Sequence, residues 1–309
     1  MKGSAESEVE RYTRDVPYGQ MERSTIAPWS VRRIGRGIEH RLRRCASSVR
    51  LTVGAIAQLE NWSELLHGTL KETLGAVILD TPVLRFRNGL EIEMARGGYA
   101  GFSVLFAEIF VDRCYRPTSR FIVGDGWTVV DIGANVGFFT CQAATAAKHT
   151  RVVAVEPVST YLTVLRRNVE RNGLQNVRIL PFAVSGTSGG KVMICVWYTP
   201  SGEPKTHRPV PPDAKRETET VAGMTLGEIF EATHVDHCDL LKIDVEGAEY
   251  ELFEAVSPET WARIERVVME THEVAGRSQS ELVEVLKAQG FESRVRRNLL
   301  WATRAESPC

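Results

Sequence analysis

The chain has 309 residues, enough to bury one large core with a smaller attachment. Its 38 basic and 39 acidic residues nearly cancel, which argues against a general polyanion binder and so against nucleic acid as the partner. No apolar run reaches the ~18 residues of a membrane span, the first twenty residues do not read as a signal sequence, and the six cysteines show neither metal nor disulfide-framework spacing. A soluble cytoplasmic protein with no membrane partner is expected, with Cys141 and Cys195 as reduced core thiols.

Residues 1–25 are poor in core-building side chains. Tyr12, Tyr18 and Met21 are the exceptions, so this arm reads either as a loose terminus or as a lid over bound substrate. Val31 to Arg50 holds seven arginines: Arg32, Arg33, Arg36, Arg41, Arg43, Arg44 and Arg50. The interleaved Ile34, Ile38, Leu42 and Val49 fit a helical stripe, which puts the arginines on a wet or partner-facing side. Leu59, Trp62, Leu65, Leu66 and Leu70 continue the helical spacing, so residues 28–80 read as a helical cap. A homodimer through residues 30–80 is left as an open expectation. Phe86 to Ile92 has the Asn88-Gly89 turn of a hairpin, and Phe102 to Tyr115 has helical spacing.

The chain is organised around Trp127 to Gly137. Val129, Val130 and Ile132 form a β-branched run, a glycine turn follows, and Phe138 opens a segment of helical composition. Strand, glycine turn and helix in this order make the nucleotide-binding corner of a doubly wound α/β sheet. The next strand, Arg151 to Val155, ends on Glu156, whose carboxylate can accept both ribose hydroxyls of a nucleoside. A dinucleotide site needs a middle glycine so that backbone can approach a pyrophosphate. Asn135 takes that position here, after Ala134, which favours S-adenosylmethionine over a nicotinamide dinucleotide.

Further strands are expected at Val177 to Val184, Lys191 to Tyr198, Leu240 to Val245 and Val267 to Met269, with a terminal antiparallel pair at Phe291 to Arg297 and Leu299 to Thr303. Helices are expected at Pro157 to Asn172, Thr225 to Ala232, Gly247 to Val256 and Gln279 to Gln289. Thr199 to Glu219, rich in Pro, Thr and charge, reads as an exposed loop. Three regions result: an arm and cap at 1–80, a hairpin and connecting helix at 81–125, and a donor-binding domain at 126–309.

VVDIGANVGFFT, then VEP at Val155 to Pro157, then LLKIDVEGAEYELF from Leu240 to Phe253 resemble the FkbM-type methyltransferases, a class I S-adenosylmethionine-dependent family. The likeness covers about residues 85–290. It implies an α/β fold with a Rossmann-like, seven-stranded doubly wound sheet, S-adenosylmethionine as cofactor, and most often O-methylation of a natural product or sugar. It also implies that Ala183 lies against adenine, and that Phe102, Ser103 and Glu108 are donor-contact candidates from a segment closing one side of the pocket.

In such a sheet, ligands gather at the carboxyl ends of the strands. Gly133, Asn135, Gly137, Phe138, Glu156, Pro157, Ala183 and Asp244 are therefore the expected donor contacts. Asp131 joins them as a counter-charge to the donor's ammonium group, with turn capping as its alternative; helix capping is the alternative for Asp244. Lys242 is expected only as a buried charge partner. Methyl transfer must also remove a proton from the acceptor. His272 or Glu273 is the favoured base, with Glu246 third, because histidine titrates near working pH and a desolvated glutamate is tuned upward. Asp244 with Glu270, His272 or Glu273 would supply metal ligands, but the Asp-Asn pair of catechol methyltransferases is missing, so no metal is expected. The expected activity is O-methylation of a small-molecule acceptor. Methylation at carbon or nitrogen of an electron-rich heterocycle such as an indole is the chemical alternative, and a non-catalytic donor-binding subunit the alternative from another class.

Overall fold

The computed structural model describes residues 49–78, 80–95, 98–198, 204–206 and 214–305. The expectations for Tyr12, Tyr18, Met21 and the arginines before Arg50 lie outside the described residues. The chain divides after Ala46, and everything described below belongs to the second unit.

Residues 49–58 are helical, followed by α1 (Trp62–Thr73) and the short hairpin of β1 (Val83–Arg85) and β2 (Glu91–Glu93). Gly89 holds the hairpin turn with φ +87°, a conformation glycine adopts without a steric penalty. Helix α2 (Tyr99–Phe106) runs into one turn of π-helix at Ala107–Val111. Phe86, Phe106 and Phe110 form an aromatic knot, with Phe86 and Phe110 4.4 Å apart between centroids.

A seven-stranded sheet forms the centre. It comprises β3 (Thr128–Ile132), β4 (Arg151–Val155), β5 (Val177–Leu180), β10 (Leu240–Ile243), β11 (Arg266–Glu270), β12 (Phe291–Arg296) and β13 (Leu299–Arg304). Their order is β12-β13-β11-β10-β3-β4-β5, with β13 antiparallel to its neighbours and the first five in chain order mutually parallel. The chain moves outward from β3 in one direction and returns to lay β10 on its other side. That reversal opens a crevice above the carboxyl ends of β3, β4 and β10, where ligands bind in this kind of sheet.

The helices follow from the same sequence logic. Helix α3 (Phe138–Ala144) starts at Gly137, and α4 (Ser159–Arg171) buries Tyr161, Leu162, Val164, Leu165 and Asn168 on one face. The carboxamides of Asn168 and Asn172 bond the backbone of Glu93 and Glu91, which pins the hairpin to α4.

Two departures from the sequence expectation shape the site. The stretch Val177 to Val184 is not one strand: it breaks at Pro181, which cannot donate to a ladder. Ala183–Val184 (β6) then enters a separate four-stranded sheet with β7 (Lys191–Tyr198), β8 (Pro204–Lys205) and β9 (Lys215–Met224), in the order β6-β9-β7-β8. The stretch Thr199 to Glu219 is likewise not all loop, since β9 begins at Lys215 and pairs with β7 in the register Tyr198↔Lys215 to Lys191↔Ala222. Its charged residues fit because most of that strand faces solvent. Cys141 is buried, but Cys195 lies on the exposed side of β7 and is not a core thiol.

The chain closes with α5 (Leu226–Thr233), α6 (Glu249–Ala255), α7 (Pro258–Ala262) and α8 (Gln279–Ala288). Reciprocal caps begin two of them, Thr225 with Glu228 on α5 and Ser278 with Glu281 on α8. No helix among the described residues is long and apolar enough to cross a membrane.

Candidate active site

The turn after β3 is built by backbone conformation. Gly133 has φ +78°, and a Cβ placed there would sit 1.8 Å from the carbonyl oxygen of Asp244. Only glycine lets the ends of β3 and β10 come so close. Asn135 is left-handed at φ +53°, which asparagine tolerates better than most residues, and its Oδ1 accepts the N–H of Val136 at 2.7 Å. Gly137 packs against α4: a Cβ there would meet Leu165 at 2.6 Å.

Beside this turn lies a cavity of about 360 Å³. Gly133, Asn135, Glu156, Pro157, Ala183, Asp244 and Glu246 line it, so seven of the expected residues converge on one space. Glu156 is buried, and its two oxygens accept the N–H groups of Asn135 at 2.7 Å and Val158 at 2.8 Å. Burial pushes its carboxyl up to about 7, against the pull of those two backbone bonds and of Lys242. Tyr161 and Phe182 add aromatic wall, and Val192, Met193, Ile194 and Cys195 bring the second sheet against the cavity.

Three expected donor contacts are placed elsewhere. Asp131 is fully buried; Thr140 donates to its Oδ2 at 2.6 Å, and Lys242 Nζ lies 3.0 Å from its Oδ1. Its charge is committed within the fold, and it is not among the residues that line the cavity. Gly137 and Phe138 also lie outside the cavity lining: the first packs on α4, and the second stacks on Phe102 at 5.9 Å. Phe102 and Ser103 are buried in the packing of α2, with Ser103 bonding the carbonyl of Ala100. Lys242 donates as well to the Gly133 carbonyl at 2.7 Å. Burial opposes its charge, but Asp131 and Asp244 outweigh that and hold its pKa above the ordinary value.

A charged cluster occupies the ends of β10 and β11. Asp244 accepts the hydroxyl of the buried Tyr115 at 3.2 Å. Glu246 is left-handed at φ +54°, a conformation that swings its side chain beside Asp244 and into the cavity lining. Strand β10 ends at Ile243, so both residues sit on the turn that follows it. His272 bridges the cluster: its Nε2 lies 3.4 Å from Glu246 and 4.0 Å from Asp244, and its Nδ1 lies 2.6 Å from the buried Glu249. Desolvation disfavours the charged imidazole, but the Glu249 hydrogen bond and the surrounding carboxylates prevail and raise it to about 9. With no cation in the cluster the carboxylates favour the protonated ring; a cation on Nε2 would take the place of that proton. Burial raises Glu246, Glu270 and Glu108 to about 7, and Asp244 adds to all three, while His272 pulls Glu246 and Glu270 the other way.

Glu273 points elsewhere. It is exposed and lines a second cavity of about 710 Å³ with Tyr250, Arg277, Gln279, Arg297 and Asn298. His272 borders that space as well. The residues that sequence reasoning missed are Tyr115, Glu249, Tyr161, Phe182 and the β7 wall. Tyr115 and Glu249 belong to stretches whose spacing could be read only as helical packing.

Comparison with known proteins decides the family. Residues 131–293 match the model of the methyltransferase FkbM domain. The chain belongs to the FkbM methyltransferase family. Among its relatives, 31-O-demethyl-FK506 methyltransferase FkbM of Streptomyces tacrolimicus is 31% identical over 235 residues, spanning 67% of this chain and 88% of the relative. Methyltransferase sdnD of Sordaria araneosa is 28% identical, spanning 61% of this chain and 81% of its own length. Methyltransferase FkbM from Methylobacillus flagellatus KT, a solved structure, aligns at a TM-score of 0.40 and 14% identity over 58% of this chain and 44% of that one.

As an FkbM methyltransferase the protein uses S-adenosylmethionine, and the residues present fit that group. Glu156 offers acceptors to a ribose, the walls of Tyr161, Phe182 and Ala183 suit an adenine, and no glycine-lined path for a diphosphate runs past Asn135.

Proposed function

We propose that this FkbM methyltransferase transfers a methyl group to a hydroxyl oxygen of a small-molecule natural product, with Glu246 receiving the hydroxyl proton. When bound, S-adenosylmethionine supplies an electrophilic methyl carbon and a sulfonium that leaves with the bonding pair. The chain's own task is to hold the nucleoside at Glu156, present the acceptor oxygen near Asp244 and Glu246, and remove a proton. The carrying observation is that Glu246 lines the same cavity as Glu156.

His272 Nδ1 is already engaged by Glu249, so this imidazole orients Glu246. Glu273 lines the other cavity and not the one that holds Glu156, which favours Glu246 over it. The Streptomyces relative is named for a 31-O-demethyl substrate, which supports oxygen as the target here. The near-neutral charge of the chain favours a small acceptor over nucleic acid.

The test is incubation with donor carrying a ¹³C methyl group and a panel of hydroxylated natural products. A labelled methyl ether is expected; label on ring nitrogen or carbon would sink the oxygen assignment. Glu246→Gln should lower kcat by about 10²–10⁴ while sparing donor affinity, and an unchanged rate would displace Glu246 as base.

A further inference from the structure

We propose that Asp244, Glu246 and His272 form a binding site for one divalent cation, with Mn²⁺ the best match to two carboxylates and an imidazole. This rests on the reading that the acceptor meets the chain at these residues. It replaces the sequence expectation of no metal, which looked for an Asp-Asn pair after the fifth strand.

The geometry fits a single ion. One oxygen or nitrogen from each of the three side chains falls within a sphere where all lie no more than 4.8 Å apart. His272 Nε2 is 3.4 Å from Glu246 Oε2 and 4.0 Å from Asp244 Oδ1. Ligands about 2.1 Å from one ion lie roughly 3 Å apart at right angles and about 4.2 Å apart when opposite. The two separations from His272 fall inside that range, and the remaining pair lies within 4.8 Å, so an ion would draw the carboxylates slightly together.

A second observation points to the same ligand. Glu249 is completely buried and aimed into the cluster, with Oε1 2.6 Å from His272 Nδ1 and Oε2 without a hydrogen-bond partner. A carboxylate on one ring nitrogen is the usual way proteins present the other to a metal. On the opposite side, the Tyr115 hydroxyl occupies Asp244 Oδ2, leaving Oδ1 directed at His272. Lys242, the buried cation beside Asp244, is already held by Asp131 and the Gly133 carbonyl. The cluster therefore gathers carboxylates faster than the fold compensates them. Three protein ligands leave roughly half of an octahedral ion's positions for water and the acceptor oxygen. An acceptor hydroxyl on the ion would be oriented and made more acidic.

The full chain, stripped with chelator and exchanged into metal-free buffer, should be titrated with Mn²⁺ alone by calorimetry and by electron paramagnetic resonance. One saturable site is expected, with a ¹⁴N coupling from His272 in the pulsed spectrum. Asp244→Asn, Glu246→Gln and His272→Gln should each weaken Mn²⁺ at least about 10-fold, and His272→Gln should abolish the nitrogen coupling. Glu249→Gln should weaken Mn²⁺ by about 10- to 100-fold through the imidazole. Glu292→Gln, on an exposed edge strand, should leave affinity unchanged. Melting curves establish that each variant is folded, and the four variants sample the site independently. No saturable Mn²⁺ binding, or binding indifferent to both Glu246→Gln and His272→Gln, overturns the site. Methyl transfer by chelated enzyme at the full rate would overturn the metal while leaving Glu246 as base; failure of donor to bind, with Mn²⁺ still bound, would instead break the reading of the methyl-transfer site.

Discussion

The two halves of the crevice solve opposite electrostatic problems. At the ends of β3 and β4, one carboxylate, Glu156, is tied to two backbone N–H groups beside an apolar wall. At the ends of β10 and β11, Asp244, Glu246, Glu249, Glu270 and His272 crowd together, with Tyr115 as a neutral donor to Asp244. On the proposed reading the first half holds the nucleoside, which asks for little beyond shape and a few hydrogen bonds. The second keeps charge unsatisfied by the fold, which costs stability and is retained where chemistry or a cation uses it.

Lys242 stands between the halves, and removing it should have the largest effect. Lys242→Met leaves Asp131 buried without its ion-pair partner and should cost about 3–5 kcal/mol in urea denaturation. The double variant with Asp131→Asn should recover much of that loss. If Lys242→Met alone is neutral, the two halves do not share this strut. Next comes Gly133→Ala, which sets a Cβ against the Asp244 carbonyl in a left-handed conformation. A loss of about 2–4 kcal/mol is expected from thermal melts, together with weakened donor binding.

Glu156→Gln sharpens the contrast by touching only the nucleoside half. Affinity for S-adenosylhomocysteine should fall by about 10-fold or more in calorimetry, consistent with about 1.5–3 kcal/mol for a hydrogen bond to a charged group. The same residue sets a pH dependence. Its carboxyl is raised to about 7 by burial, so the ionised form that accepts ribose hydroxyls grows as pH rises through 7. Affinity should climb from pH 6 to pH 8 and then level, and Glu156→Gln should flatten the curve. Linkage runs the other way for folding: with the folded value above the ordinary 4.5, this group's contribution to stability declines from about pH 4.5 to 7. The smallest effect is expected for Tyr115→Phe, which removes one hydrogen bond to Asp244 and should cost about 1 kcal/mol of stability.

The nucleoside half was legible because it is local. A β-branched run, a glycine where φ must be positive, and a carboxylate at the end of the following strand lie within a few dozen residues, and their roles follow from backbone geometry alone. Asp131 shows the limit of that reasoning: its place at a strand end suggested a ligand contact, yet a lysine 111 positions onward neutralises it inside the core. The break at Pro181, which sends β6 into a second sheet, was likewise a local signal whose consequence, a wall of β7 residues over the cavity, was not.

Sequence alone determined the strand, glycine turn and helix around Gly133 and the placing of Glu156, because short-range sterics and hydrophobic periodicity dictate them; the count of seven strands came from the family resemblance. Tertiary structure alone decided which carboxylates meet. Tyr115, the stretch Asp244 to Glu249, and His272 come from three separate segments, and their separations depend on the left-handed Glu246 after β10 and on the bond between Glu249 and His272. Charges interact according to distance in space, and only the folded chain sets that distance.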